Sequence, residues 1–235
     1  RLLSRGLGDV YKRQVLIVVT DPTRFRGRGE MGGTAHDFQI SPSSWNRFEE
    51  CPRKYWLSRQ RLPRKASMAA SMGTAIHNSV EDMCNLDMSG WDDEEIGWLH
   101  SSCRETLQKR WEEERTLFSE TPRHPRWKDE SFSVALDGMI GAISILFDKA
   151  MLPLEELSSV TVKTWKQVQD IVVATEANLE SKCGRLMGRL DLLIKDLEDG
   201  ADDGLIVADL KTGKPPEVEL SEKVSRQLLF YRDIM

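Results

Sequence analysis

The sequence predicts an α/β fold in which a mostly helical first two-thirds gives way to antiparallel strands. Three observations predict it. Apolar residues recur at helical spacing from "SPSSW" at residue 41 to about residue 151. From about residue 170 the texture changes to β-branched and apolar runs punctuated by Gly and Asp. Two of those runs, "GRLMGRLDLLIKD" and "GLIVADLK", are joined by the turn-rich "LEDGADDG", which makes them antiparallel neighbours.

The elements follow in chain order. Ser41 or Ser43 can cap a first helix with Pro42 in its first turn. Trp45, Phe48, Tyr55 and Trp56 keep helical spacing through "FEECPRKYWLSRQ", with Pro52 as a break or kink. A second helix is expected from about Thr74, with Ile76, Val80 and Met83 on one side. The stretch "WDDEEIGWLHSSCRETLQKRWEEERTLF" reads as one long amphipathic helix with an acidic start that suits the dipole. After the Pro-rich "TPRHPRW" comes another helix, "SFSVALDGMIGAISILFDKAM". Strands are expected over "DIVVATEANLE", "GRLMGRLDLLIKD" and "GLIVADLK", and the chain ends in the apolar-periodic helix "VSRQLLFYRDIM".

With 40% hydrophobic and 30% charged residues over 235 positions, the chain reads as an ordinary globular protein. Its longest uninterrupted apolar runs, "VLIVV" and "IVVA", fall far short of the roughly 20 residues of a membrane span, so no membrane is expected. Cys51, Cys84, Cys103 and Cys183 form no C-x-x-C pair, which argues against a disulfide framework or zinc knuckle and for a reducing, cytoplasmic compartment. The opening "RLLSRGLGDVYKRQ" has no apolar period, and the native start is expected at Met31, with residues 1–30 a non-native or disordered extension. Those thirty residues hold seven Lys/Arg and three Asp/Glu, so without them the net charge of −5 becomes −9. The C-terminus is expected to be truncated inside its last helix. A net-acidic chain repels nucleic acid overall, so any such site must be a local basic patch.

The chemistry concentrates in the second hairpin. In an extended strand Asp209 and Lys211 share a face with Leu205 and Val207, while Ile206, Ala208 and Leu210 take the other. Likewise Arg189, Asp191 and Leu193 oppose Leu190, Leu192 and Ile194. If the turn centres near Gly200, cross-strand partners have numbers summing to about 400, which sets Asp191 opposite Asp209 with Cβ atoms about 5 Å apart. Like charges so placed call for a cation between them, and a divalent ion with oxygen ligands is the natural candidate. Lys211 is then positioned to orient or activate a water. The plainer alternative is a surface ion pair between Asp209 and Lys211. The stretch "KTGK" is no phosphate loop, because G-x-x-x-x-G-K-[ST] is absent.

Five elements in order, "SPSSWNRFEECPRKYWL", "GTAIH", "GRLDLLI", "ADLKTGK" and "QLLFY", resemble the RecB-type branch of the PD-(D/E)XK nuclease superfamily. The resemblance spans Ser41 to Tyr231. It implies a restriction-endonuclease-like core in a single nuclease domain over residues 31–235: a central mixed β-sheet, its antiparallel hairpin carrying the site, flanked by helices. It implies metal-dependent hydrolysis of DNA phosphodiesters, as an exonuclease in repair or recombination, with Mg²⁺ as cofactor and Mn²⁺ able to substitute.

By the same resemblance Asp191 and Asp209 are acidic metal ligands, His77 and the backbone carbonyl of Leu210 complete the metal site, and Lys211 is the catalytic lysine. Glu176 stands where many members carry an acidic residue. Gln227 and Tyr231 map onto a Q-x-x-x-Y helix that lies against the site and contacts DNA. Taken alone, His77 reads as a satisfied, partly buried histidine, and Gln227 and Tyr231 as an i, i+4 packing pair. Cys51 matches the cysteine that AddB-type and CRISPR-associated relatives use to hold a 4Fe–4S cluster, with three more beyond the last helix.

The stretch "CPRKYWLSRQRLPRK" adds a basic patch of Arg53, Lys54, Arg59, Arg61, Arg64 and Lys65, interleaved with Tyr55 and Trp56. Its charges suit phosphates and its aromatics suit bases or, equally, a protein core. With Lys214 of the turn these basic residues form the expected DNA-binding set. Two other readings stand beside the nuclease: a non-catalytic DNA-binding subunit of a repair complex that keeps the fold, and an iron–sulfur nuclease. Joint retention of Asp191, Asp209 and Lys211 favours the enzyme over the first. A helicase or repair-complex subunit is the expected protein partner.

Overall fold

Ser41 opens the first helix of the computed structural model, which describes residues 39–60, 62–63, 65–197, 204–211 and 221–234. Its hydroxyl accepts from the Ser44 N–H while the Ser44 hydroxyl accepts from the Ser41 N–H, a reciprocal cap with serine in the usual Glu place. Helix α1 (Pro42–Glu50) stops where Pro52 forces Cys51 into extended backbone, and α2 (Pro52–Arg59) begins at once. The expected start at Met31, the turn near Gly200, the stretch after Lys211 and the basic residues Arg61, Arg64 and Lys214 lie outside the described residues.

Helix α3 (Met68–Cys84) begins six residues earlier than Thr74. Met68 and Met72 continue the Ile76, Val80 and Met83 stripe by one turn at a time and pack on the same core, so burial extends the helix through Gly73. Helix α4 (Trp98–Glu120) instead begins later than expected, at Trp98 and not Trp91, because Gly97 takes a left-handed conformation with φ 79°. The acidic run before it is a loop with its own partners. Asp93 pairs with Lys166 at 2.7 Å, and the carbonyls of Asp93 and Glu95 accept the Lys163 and Val162 N–H groups.

Helix α5 (Phe132–Lys149) is buried on most sides and forms the centre of the helical layer. With the single 3₁₀ turn before it, the segment Asp129–Lys149 is long and apolar enough to cross a membrane, which the reading by uninterrupted runs overlooked. Gly, Ser and Ala break its apolar run without breaking its apolar character, and 56% of its most apolar window is buried inside the fold, as befits a core helix. Helix α6 (Val162–Ile171) was not expected at all. Thr161 caps it, and Val162, Trp165, Val168 and Ile171 form its buried stripe.

Among the described residues the sheet has three antiparallel strands in the order β1 (Val172–Glu180), β2 (Met187–Lys195), β3 (Leu205–Ala208). Parallel pairing among the described residues is confined to two isolated bridges, one of which joins Ile40 to Leu186. The β2–β3 pairs Leu192↔Ala208 and Leu193↔Val207 have numbers summing to 400, the register the turn and pattern imply. Leu192, Ile194, Ile206, Ala208 and Leu210 face the core built with α3, α4, α5 and α6. Leu193 and Val207 face the opposite side, against Tyr231 of α7 (Glu222–Ile234), which α1 braces.

Leu190 departs from strict alternation, since it joins Leu193 and Tyr231 and not Leu192. The strand is locally out of pleat here. On β1, between the pairs Thr175↔Leu192 and Ala177↔Leu190, Glu176 sits at φ 46°. A non-glycine residue with positive φ inside a strand is strained and persists only where surrounding contacts hold it.

Candidate active site

Asp209 follows β3 directly and is 2% exposed, an isolated cost unless its charge is met. The Lys211 ammonium lies in ion-pair contact with its Oδ2, and the Gln227 amide donates to Oδ1 at 2.8 Å. Gln227 also accepts from Lys211 Nζ at 3.3 Å and donates to the Tyr231 hydroxyl at 3.0 Å. One amide on α7 therefore ties the acid, the lysine and the tyrosine together.

Tyr231 donates in turn to the Arg189 carbonyl at 2.7 Å and is 3% exposed. Its side chain braces β2 and offers no surface to a nucleic acid, in contrast to the DNA contact expected of it. Burial pushes its phenol up to about 12, so it stays a hydrogen-bond donor throughout the neutral range. The reason it can lie so close is Gly188: a Cβ there would come within 2.6 Å of the Tyr231 ring.

Around Asp191 the groups come from three elements. Its Oδ2 accepts the Leu210 N–H at 2.7 Å and lies 3.5 Å from His77 Nδ1 on α3. Glu176 of β1 brings Oε1 to 3.9 Å from the same His77 nitrogen. Its other oxygen, Oε2, accepts from Arg189 Nε at 2.6 Å. One ligand atom from each of His77, Glu176 and Asp191 lies within 4.8 Å of the other two, and no other group of three such side chains occurs among the described residues. The Leu210 N–H fixes Asp191, beside the carbonyl expected of the same residue at the metal.

The electrostatics agree with a crowded acidic centre. Burial raises the Glu176 pKa, the Asp191 charge raises it further, and Arg189 and His77 only partly offset this. Asp209 is raised by burial and then by Asp191, against the pull of Lys211. At His77 burial opposes the charged form, but the hydrogen bond and charge of Asp191, with Glu176 and Asp209 behind it, win and raise the pKa.

A divalent ion fits these residues. Imidazole and carboxylate donors suit a hard to borderline cation. Asp209 Oδ2 moreover is buried and receives no hydrogen bond of good geometry, only the ammonium contact. A cluster at Cys51 finds no such support among the described residues. Cys84 and Cys103 are buried in the helical core, Cys183 is exposed in the β1–β2 turn, and no group of three potential ligands includes Cys51.

On α2, Arg53, Lys54 and Arg59 are exposed. Lys54 pairs with Glu50 at 2.8 Å, and the Arg59 guanidinium lies 5.8 Å from the Tyr55 ring centre. Trp56 is 60% exposed, which removes it from the core, while Tyr55 is half-buried against Phe48. Helix α1 is tied to α7 through Asn46, which donates to the Lys223 carbonyl and accepts from Arg226. Sequence reasoning assigned no role to Asn46 or to Arg189, although the alternation that put Arg189 on the Asp191 face was a signal for the latter.

No curated protein and no solved structure matches the chain significantly. A family model does, over residues 39–235, which include every element described above. The hairpin aspartates, the lysine two residues after the second, the histidine helix and the glutamine–tyrosine helix all fall inside that match, and the chain belongs to the PD-(D/E)XK nuclease superfamily.

Proposed function

We propose that this protein is a Mg²⁺-dependent deoxyribonuclease of the RecB type, an exonuclease that hydrolyses phosphodiesters in DNA repair or recombination. The observation that carries the reading is the convergence of His77, Glu176 and Asp191 within 4.8 Å, beside the Asp209–Lys211 pair.

In this reading Asp191, Asp209 and His77 hold the ion, with Glu176 and the Leu210 carbonyl completing its surroundings, and Mn²⁺ can replace Mg²⁺. The bound ion supplies Lewis-acid polarisation of the phosphodiester and lowers the pKa of a water. Lys211 orients the attacking water and offsets charge that develops on the phosphate. Gln227 keeps Lys211 and Asp209 in mutual register through its two amide atoms. The Leu210 N–H and His77 hold Asp191 in one rotamer, so its donor atoms need no reorganisation when substrate arrives.

Exposed Arg53, Lys54 and Arg59, with Arg61 and Lys214, take DNA phosphates, and the bare Trp56 ring stacks on an unpaired base. A cytoplasmic setting suits four free cysteines. A helicase or another repair subunit is the protein partner the reading calls for.

End-labelled linear DNA and a closed circle, each incubated with the protein in Mg²⁺, Mn²⁺ or EDTA, test this. The linear substrate should shorten from its ends with either metal, the circle should survive, and EDTA or Asp191→Asn should stop the reaction. Wild-type rates from Asp191→Asn, or cleavage that ignores EDTA, would sink the proposal.

A further inference from the structure

Among the described residues Lys211 and Arg189 are the permanent cations paired with the site carboxylates, and only Lys211 has work in the mechanism above. Arg189 has the geometry for another task. Its Nε donates to Glu176 Oε2 at 2.6 Å, yet its side chain is 60% exposed where that of Glu176 is 11% exposed. One edge of the guanidinium rests on the carboxylate and the remainder faces solvent. The stem is fixed: the Arg189 carbonyl accepts from Tyr231, and the preceding Gly188 lies under the Tyr231 ring. Arg189 pairs across the ladder with Asn178, so it reaches Glu176 along the diagonal, which only a long side chain spans.

Glu176 is also one of the three converging donors, through the oxygen that faces His77. A cation taken by His77, Glu176 and Asp191 would draw on the carboxylate charge that now holds Arg189. Glu176, Asp191 and Asp209, with the Glu81 charge also reaching Glu176, outweigh Lys211 and Arg189. A divalent ion would offset that excess and leave the guanidinium free to favour a phosphodiester. Without Arg189 the loaded site would carry one positive charge less and would hold a phosphate less strongly. A guanidinium also has the planar fork that grips phosphate oxygens in pairs, which an ammonium lacks.

We propose that Arg189 is a phosphate-contacting residue, parked on Glu176 until a divalent ion occupies His77, Glu176 and Asp191, and then transferred to the phosphodiester. This rests on the metal-nuclease reading and adds to it an order of events, with ion first and DNA second.

The test uses wild type, Arg189→Ala and Arg189→Lys. Calorimetry with Mn²⁺ alone reads the ion site, and fluorescence anisotropy of a labelled oligonucleotide in EDTA or in Ca²⁺ reads DNA. Arg189→Ala should melt with the wild type, bind Mn²⁺ as tightly or several-fold more tightly, and bind DNA in EDTA within about twofold. In Ca²⁺ it should lose roughly tenfold in DNA affinity, the worth of one charge-assisted contact, and Arg189→Lys should recover part of that. Wild-type DNA affinity of Arg189→Ala in Ca²⁺ would reduce Arg189 to a surface ion pair. A fall in Mn²⁺ affinity would make it a support for Glu176 and overturn the transfer. If the wild type itself binds no Mn²⁺, the metal-nuclease reading fails and takes this proposal with it. If the wild type binds and cleaves while Arg189→Ala is indistinguishable, only the role of Arg189 falls.

Discussion

Gly188→Ala isolates the contact on which the glutamine–tyrosine helix is seated. The backbone at Gly188 is not in the left-handed region, so alanine is conformationally acceptable there. On propensity and unfolded-chain entropy alone the change should stabilise by about 0.4–1 kcal/mol. Sterics oppose this. The new Cβ would sit 2.6 Å from Tyr231 Cε1 and 3.1 Å from Cδ1. Ordinary carbon contacts begin near 3.5 Å, so the ring must retreat by about 1 Å.

That ring has nowhere convenient to go. It is 3% exposed, packs with Leu190, Leu193 and Val207, and carries hydrogen bonds to Arg189 and Gln227. Overpacking of this kind costs about 1–3 kcal/mol, so the net loss should be about 1–2 kcal/mol. The displacement should also reach Gln227 and through it Lys211 and Asp209. A 1 Å error in a catalytic group can cost about 10²-fold in rate.

Urea unfolding of Gly188→Ala, Tyr231→Leu and the double variant reads the energy, and cleavage of linear DNA reads the rate. In the Tyr231→Leu background the same alanine should be neutral or stabilising, because the ring it strikes is gone. An equal loss in both backgrounds, or a wild-type midpoint for Gly188→Ala, would refute the close-approach argument.

Lys211→Ala should cut the cleavage rate roughly 10²–10³-fold. It should also lower the melting temperature of the metal-free protein, since buried Asp209 would keep only Gln227, and Mn²⁺ should restore much of that loss. Near wild-type rates would make Lys211 a structural partner. Glu176→Gln tests linkage. The folded-state pKa of Glu176 is raised, so its contribution is present below the ordinary 4.5 and is lost as pH rises through the raised value. The stability of Glu176→Gln relative to wild type, both free of metal, should therefore climb as pH rises above 4.5, and a flat difference would contradict the electrostatics described here. Trp56→Ala should leave stability within about 0.5 kcal/mol, yet weaken single-stranded DNA binding by about 1–3 kcal/mol if the ring stacks on a base. An unchanged affinity would return Trp56 to an idle surface residue.

The second hairpin was legible because two constraints in the sequence agree. The apolar alternation of Leu192–Ile194 and Ile206–Ala208 and the turn at "LEDGADDG" each permit one register, and it is the same one. Helix α6 was missed although Val162, Trp165, Val168 and Ile171 have helical spacing, and it runs into β1 without a Gly or Pro between them. The β-branched "IVV" at that junction marks only the strand expected from Asp170. The late start of α4 turns on the left-handed Gly97, and glycine also occurs inside helices, as Gly73 does in α3. The positive φ of Glu176 leaves no mark in the sequence, because a glutamate adopts it only when contacts such as Arg189 and His77 hold its side chain. Packing of Tyr231 was one of the two readings open to it, but its depth was not legible for a related reason. An i, i+4 pair shows that Gln227 and Tyr231 share a face, and nothing in that spacing says Gly188 leaves room for the ring.

The two faces of the sheet divide the labour at the site. From the bundle side α3 presents His77 to Asp191 and Glu176, which remain partly open to solvent and are spaced as ligands. From the other side α7 presents Gln227 to Asp209, which is nearly fully buried, and to Lys211, whose side chain is 36% exposed, and hydrogen bonds fix their geometry. Of these groups Asp209 is the one most shut off from solvent, while Lys211 keeps the access to water that its proposed role requires. Asp191 joins the halves. It takes the N–H of Leu210, the residue between Asp209 and Lys211, and its charge raises the pKa of both Asp209 and Glu176. An ion bound there would relieve the repulsion around Asp191 and so would act on Glu176 and Asp209 together.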